Sequence, residues 1–291
     1  MRQLKETLSI TNSTLSKQAA ARVGHIEYLN CLPLYYGLES KGFLPKIKLI
    51  NGKPTELSKM LLEGQLDIAP IPSIEYGRHF KKLKLLSDIS ISSDGEVKSI
   101  LLVSKYPIDM LDKKTICLTS ASATSQVLLK LILSLKYHQK PGYVQSSDSY
   151  DRALKDFDAA LVIGDEALDL YYHKLKGIYK YDLGKEYKEL TGEKMVFAVW
   201  AVRNEFADKN PELTKALDQA FGHSIAYSKK CLCEVAHYGA KRHLLDKDIL
   251  KSYFDALRFD FNKEYQKGLM CYYQKAVDQG YLKELPTLNF C

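Results

Sequence analysis

Two spacings of apolar residues alternate along the chain. "ARVGHIEY" (21–28) has the composition of a short buried strand, and "PLYYGLES" (33–40) reads as the helix after it, with Pro33 suited to a first helical turn. "PKIKLINGKP" (45–54) alternates apolar and polar, the mark of a half-buried strand closed by Asn51-Gly52. In "PTELSKMLLEGQ" Thr55 can cap a helix with Leu57, Met60 and Leu61 on its face and Gly64 as terminator. "LDIAPIP" (66–72) predicts a buried strand that its prolines end, opening into a loop, because proline cannot donate to a sheet ladder. "LKLLSDISI" and "VKSILLVSK" predict two more strands, the second apolar enough to be central.

After Tyr106-Pro107 the pattern restarts. It predicts a strand over 114–120, a helix over 121–135, a strand near 143–147 and a helix over 149–157. A strand from 158 then runs into a Gly164-Asp165 turn, and a long apolar strand covers 194–206. From there to residue 280 only helices are predicted: 210–229, 232–244, 246–256 and 262–279. This order implies an α/β protein of two lobes. Lobe one is expected at 23–106 and 203–291, lobe two inserted as 107–202, with two crossover strands near 104–108 and 200–204. Residues 1–22 form a polar extension, helical or frayed. Such a fold keeps its ligand in the cleft between lobes, at the carboxyl ends of strands, and closes by a hinge.

Composition narrows the function. The 291 residues are 46% hydrophobic and 26% charged, ordinary globular usage for about two domains. The net charge of +7 is spread over short pairs such as Lys81-Lys82 and Lys229-Lys230, so no nucleic-acid track forms, although the sign suits an anionic small substrate. The N-terminus lacks the apolar core of a secretory signal, and no apolar run is long enough for a membrane span. A cytoplasmic location is therefore expected, with the six cysteines as thiols. Phosphate-loop, dinucleotide and zinc-hydrolase motifs are absent. Cys231, Cys233, His237 and His243 are wrongly spaced for a zinc knuckle, so no metal is expected.

"TSASATSQ" (119–126) places five hydroxyls between a strand and a helix, where free N–H groups and the positive dipole end favour an anion. A cap needs only one of them. Asp165 in "VIGDEAL" is either an N-cap or a cleft residue. On pattern alone Asn30 is a turn residue and Ser99 an unremarkable strand residue.

"VGHIEYLNCLPLYYGL", "LSKMLLEGQLDIAPIPSIEY", "SATS", "AALVIGDEAL" and "TGEKMVFAVWA", in this order, resemble the chorismate dehydratases of the futalosine-dependent menaquinone pathway, over about residues 22–285. The sister dihydroxynaphthoate synthases share the fold, and "HIEYLNCLPLYYGL" favours the dehydratase. The resemblance implies a type II periplasmic-binding-protein-like fold used as an enzyme. The reaction implied is loss of water from chorismate to give 3-[(1-carboxyvinyl)oxy]benzoate. It further implies Asn30 and Ser99 in catalysis, and Ser120, Ser122, Thr124 and Ser125 holding a carboxylate. Asp165, Thr191 and Gly192 would complete the pocket. The chain departs from the family pattern in its N-terminal extension and in Glu193-Lys194-Met195, where an apolar-Pro pair is more usual. Aromatisation drives the elimination, so no cofactor is called for, and the substrate's own enolpyruvyl carboxylate is a possible base, with Asn30 and Ser99 as orienting donors. A non-catalytic anion-binding protein of the same fold is the alternative from a different class.

Overall fold

The computed structural model describes residues 20–42, 47–146, 149–241, 243 and 245–291. Of the expected extension only residues 20–22 fall within this set, and Ala21 and Arg22 already belong to the first strand. In chain order the strands and helices begin with β1 (Ala21–His25), α1 (Leu32–Lys41), β2 (Ile47–Asn51), α2 (Pro54–Leu62), β3 (Ile68–Pro72), α3 (Ser73–His79), β4 (Leu83–Ser93) and β5 (Ile100–Ser104). There follow β6 (Thr115–Thr119), α4 (Ala123–Leu135), β7 (Gly142–Ser146), α5 (Tyr150–Asp156), β8 (Ala159–Ile163), α6 (Gly164–Tyr172), β9 (Tyr179–Asp182) and α7 (Leu183–Thr191). The chain ends with β10 (Met195–Arg203), α8 (Asn204–Lys209), α9 (Pro211–Lys230), α10 (Leu232–Ala240), α11 (Lys247–Ala256) and α12 (Lys263–Asp278).

Two five-stranded sheets result, ordered β2-β1-β3-β10-β4 and β7-β6-β8-β5-β9. In each, four strands run in one direction and the fifth enters antiparallel to both its neighbours: β10 between β3 and β4, β5 between β8 and β9. The crossings therefore differ from those expected. Ile100–Ser104 pairs in the second sheet and Met195–Arg203 in the first, so the chain changes lobes through 94–99 and again after Thr191. Both strands are unbroken apolar runs, whose pattern does not say which sheet they join. The crossings fall instead on the polar, glycine-bearing "DGEVKS" and "TGEK".

The prolines of "LDIAPIP" were expected to end a strand in a loop, yet Pro70 and Pro72 lie inside β3, and α3 starts at once at Ser73. Pro70 and Pro72 have the same parity, so both missing N–H groups fall on one edge of the strand. The ladder to β10 runs through Ala69 and Ile71, whose N–H groups remain, while β1 partners β3 only at Ile68. Central position and proline are thereby compatible.

Asp67 braces the first sheet. It accepts from the Arg22 backbone N–H at 2.9 Å and from the Arg22 guanidinium at 2.6 and 3.0 Å, and Arg203 reaches it at 3.2 Å. Burial works against this carboxylate, but its Arg22 hydrogen bonds prevail and hold it below the ordinary carboxylate range.

One apolar core runs through both lobes. It joins β-strand residues of the first sheet to Leu128, Leu131 and Ile132 of α4 and Tyr187 of α7. The Tyr187 hydroxyl donates to the Gly268 carbonyl of α12 at 3.2 Å, and at Gly268 a Cβ would collide with the Lys194 carbonyl. Helices α4 and α7 of lobe two are thus packed directly on lobe one.

Candidate active site

A narrow cavity of about 50 Å³ lies between the lobes. Lobe one supplies Ile26, Tyr28, Asn30, Cys31 and Phe197, and lobe two supplies Ser122, Ser125 and Gly164, with Ser99 from the first crossing. Beside it, sharing Tyr28 and Ile163, is an outer recess of about 360 Å³ lined also by Lys53, Thr119, Ser120, Asp165 and Glu166.

Asn30 stands in a single 3-10 turn, Leu29–Cys31, between β1 and α1, where Pro33 helps start the helix. Its side-chain oxygen is buried and has no hydrogen-bond partner. A buried polar atom without a partner costs free energy, so this oxygen is available to a ligand. The neighbouring Cys31 thiol is fully buried, and burial, reinforced by the Asp165 carboxylate, pushes its ionisation far above the ordinary thiol range. It stays neutral.

Ser99 is 2% exposed. Its hydroxyl accepts from the Tyr253 hydroxyl of α11 at 2.9 Å, and the nearest protein acceptor for its own proton is the Val97 carbonyl at 3.4 Å. The crossing that carries Ser99 is held by Asp182, whose carboxylate takes the N–H groups of Val97 at 3.1 Å and Lys98 at 2.6 Å while capping α7 through Gly184 and Lys185. Lys98 itself takes a left-handed backbone, with φ of 63°.

The hydroxyl loop divides by side. Ser122 caps α4, accepting from the Ser125 N–H at 3.3 Å, and the two hydroxyls are 2.9 Å apart on the cavity wall. Ser120 is exposed and lines the outer recess. Thr124, expected to hold substrate, points the other way. Its oxygen accepts from the Ile74 N–H at 3.1 Å and lies 3.3 Å from the Ser73 oxygen, which itself donates to the Val196 carbonyl at 2.8 Å. A hydroxyl has one proton, so Ser73 spends its proton on Val196 and Thr124 must donate to Ser73. Thr124 has no donor left for an anion.

Asp165 is not an N-cap. From the first turn of α6 it accepts across the lobes from the Leu29 N–H at 3.0 Å, and its other oxygen lies 3.4 Å from His243. Burial raises its pKa, with the Leu29 N–H and His243 pulling it back. It lines the recess, not the cavity. Thr191 and Gly192 do not line the cavity either. The Thr191 hydroxyl donates to the Tyr187 carbonyl at 2.8 Å, and Gly192, with φ of 72°, ends α7.

A family model described as menaquinone biosynthesis matches residues 21–278. The chain belongs to that family. Among its relatives is a chorismate dehydratase of Thermus thermophilus, 30% identical over 262 residues, which cover 86% of this chain and 93% of that protein. A chorismate dehydratase of Campylobacter jejuni is 33% identical over 180 residues, 60% of this chain and 64% of that one. In fold, a crystal structure of an Archaeoglobus fulgidus protein matches with a TM-score of 0.73 at 18% identity, covering 90% of this chain and 98% of that. The periplasmic aliphatic sulphonate binding protein of Escherichia coli matches at 0.66 and 15% identity, covering 93% and 90%. The two-lobed architecture of this family member is therefore that of the periplasmic binding proteins.

The Cys231, Cys233, His237 and His243 positions do not converge, and among the described residues no group of three or more His, Cys, Asp or Glu side chains is placed to hold a metal. None of the six cysteines is in a disulfide. No helix among the described residues is long and apolar enough to cross a membrane. Two residues of this site escape a reading of the sequence. Tyr28, although inside the signature, has no chemical mark that separates it from Tyr35 and Tyr36. Tyr253 lies on a helix whose pattern reads as ordinary core.

Proposed function

We propose that the chain is a chorismate dehydratase, a carbon–oxygen hydro-lyase of menaquinone biosynthesis that converts chorismate to 3-[(1-carboxyvinyl)oxy]benzoate. The observation that carries this reading is the setting of Asn30, Ser99, Ser122 and Ser125 around one cavity between lobes, in a chain that matches the Thermus thermophilus dehydratase over most of both lengths.

The proton on the ether-bearing ring carbon is vinylogous to the ring carboxylate. Its removal sends negative charge onto that carboxylate, and expulsion of the neighbouring hydroxide then completes the aromatic ring. The abstracted proton leaves with the hydroxide as water. Neutral donors fixed between the lobes stabilise this charge without reorganising, which favours the transition state over the bound substrate. The Asn30 amide and the Ser99 hydroxyl serve as orienting groups, and the Ser122–Ser125 turn receives a carboxylate at the positive end of α4. The ionisable side chains lining the cavity, Tyr28 and Cys31, both have their ionisation raised by burial. Neither is a base near neutrality, which supports the substrate's enolpyruvyl carboxylate as the proton acceptor. Asp165, Thr191 and Ser120 then act outside the reacting centre.

The cavity holds roughly four waters at the usual volume per site, whereas ligand sites run to about 300–1,000 Å³. Substrate binding must therefore part the lobes beyond their separation in this structure, and they re-close around it to react. Incubating the protein with chorismate and following appearance of the aromatic product by absorbance tests the reading. Bound but unchanged chorismate would identify a non-catalytic binding protein instead. Asn30→Ala is expected to lower kcat by about a hundredfold, the effect of losing one preorganised polar group at a reacting centre, while removing a buried atom that lacks a partner. Unchanged turnover would take Asn30 out of the mechanism.

A further inference from the structure

We infer that Tyr253 is a positioning residue for Ser99, fixing the direction in which the Ser99 proton points. The inference rests on the proposed dehydratase reading, in which Ser99 faces the substrate.

Tyr253 is 1% exposed, so its hydroxyl has no water to bond and must spend its proton inside the protein. It spends it on Ser99 at 2.9 Å, a full-strength separation. Burial raises the Tyr253 ionisation far above the ordinary phenol range, so the group is a donor at every working pH. With one Ser99 lone pair taken by this donor, the Ser99 proton has to point elsewhere. The Val97 carbonyl accepts it, but at 3.4 Å, well beyond the separation of about 2.7–2.8 Å that O–H···O bonds favour, so an oxygen arriving in the cavity that Ser99 lines can take it over. A serine alone would rotate freely among three staggered positions. With Tyr253 in place it is a donor aimed at an incoming oxygen before the substrate arrives.

The same helix grips the crossing twice. The residue before Tyr253, Ser252, takes the Lys98 ammonium at 3.1 Å, so α11 of lobe one holds two consecutive residues of the strap that leads into lobe two. Tyr253 therefore ties Ser99 to the frame of lobe one whatever lobe two does.

Tyr253→Phe deletes only the oxygen and keeps the ring in its core, so folding is preserved and the hydroxyl alone is tested. The experiment is a double-mutant cycle on chorismate turnover, with Tyr253→Phe, Ser99→Ala and the two combined, beside a crystal structure of the Tyr253→Phe protein. If Tyr253 acts through Ser99, Tyr253→Phe lowers kcat by about tenfold, the effect of one neutral hydrogen bond, with KM within about twofold. Ser99→Ala lowers it at least as far, and the combination is no worse than Ser99→Ala alone. The crystal structure should show the Ser99 hydroxyl turned from its position beside residue 253, with the backbone of 97–99 unmoved. Factors that multiply in the combined variant overturn the inference, and so does unchanged kcat in Tyr253→Phe. A Ser99 hydroxyl that keeps its rotamer without the phenol overturns it as well, a result readable with no substrate at all. Wild-type protein that leaves chorismate intact would instead sink the dehydratase reading, and the Ser99 rotamer would still decide the role of Tyr253.

Discussion

The lobe interface has two ends built on opposite principles. At the rear, Thr124 is threaded into a relay that starts at the Ile74 N–H, passes through the Thr124 and Ser73 hydroxyls and ends on the Val196 carbonyl. Tyr272 adds a bond to the Thr124 carbonyl at 3.2 Å, Tyr273 one to the Ser73 carbonyl at 2.6 Å, and the apolar core is continuous underneath. At the mouth, Tyr28 lies beside Gly164, where a Cβ would come within 3.6 Å of the ring, and Asp165 holds one N–H of the opposite lobe. Parting the rear exposes core and orphans several buried polar groups, each costing on the order of 1–3 kcal/mol. Parting the mouth exposes a half-buried tyrosine and a carboxylate that is already one-third exposed. Opening is accordingly expected at the mouth, with the rear as the axis, and the substrate route passes Tyr28.

The rear gives the largest expected effect. Thr124→Val preserves shape but leaves the Ile74 N–H and the Ser73 oxygen each short of a partner in a site that is 0% exposed. The loss in unfolding free energy should be about 2 kcal/mol, read from the urea midpoint at unchanged slope. A shift too small to resolve would mean that the relay does not hold the rear together.

The same loop shows what the sequence could and could not say. Ser122 and Ser125 are three apart and share a helix face, whereas Thr124 is turned away from it. Five hydroxyls in "TSASATSQ" point to an anion site only as a group; helical spacing separates Ser122 and Ser125, which line the cavity, from Thr124, which pins the lobes, a step that composition alone does not make. Asn30 and Ser99 were legible through their family signatures, since neither has a local chemical mark. Tyr253 stood 154 positions from Ser99, so their contact is a product of the fold alone. In the fold, strands with apolar runs were legible, but β5 and β10 have no polar face to declare their sheet. The β9–α7 stretch "YKYDLGKEYKELT" is too polar and too short in each element to stand out. Proline in β3 misled because a missing N–H matters only on an edge that needs it.

At the mouth the expected effect is smaller and kinetic. Tyr28 lines the cavity, the outer recess and a third pocket beside His243, so it is the partition among them. Tyr28→Ala should lower kcat/KM by about tenfold, the equivalent of the apolar burial that the ring gains as the lobes close, with less change in the unfolding midpoint than Thr124→Val. Steady-state kinetics beside urea unfolding separates the two. A stability loss as large as that at the rear would erase the distinction between the ends.

The smallest effect belongs to Asp165. Its folded pKa lies above the ordinary value of 3.8, chiefly because burial disfavours the charged form. Between that ordinary value and the raised one the folded protein binds more protons than the unfolded chain, so stability falls as pH rises through this window and levels off above it. Asp165→Asn keeps an oxygen for the Leu29 N–H and removes the titration. Its unfolding free energy should therefore lack this fall, so that the two curves run together below the window and Asp165→Asn is the more stable above it. Urea unfolding of both proteins upward from the ordinary carboxylate pKa checks the sign. Parallel curves would mean that the mouth is wet enough for Asp165 to titrate as it does in the unfolded chain, and the contrast with the dry, fully bonded rear would then be even sharper than the distances imply.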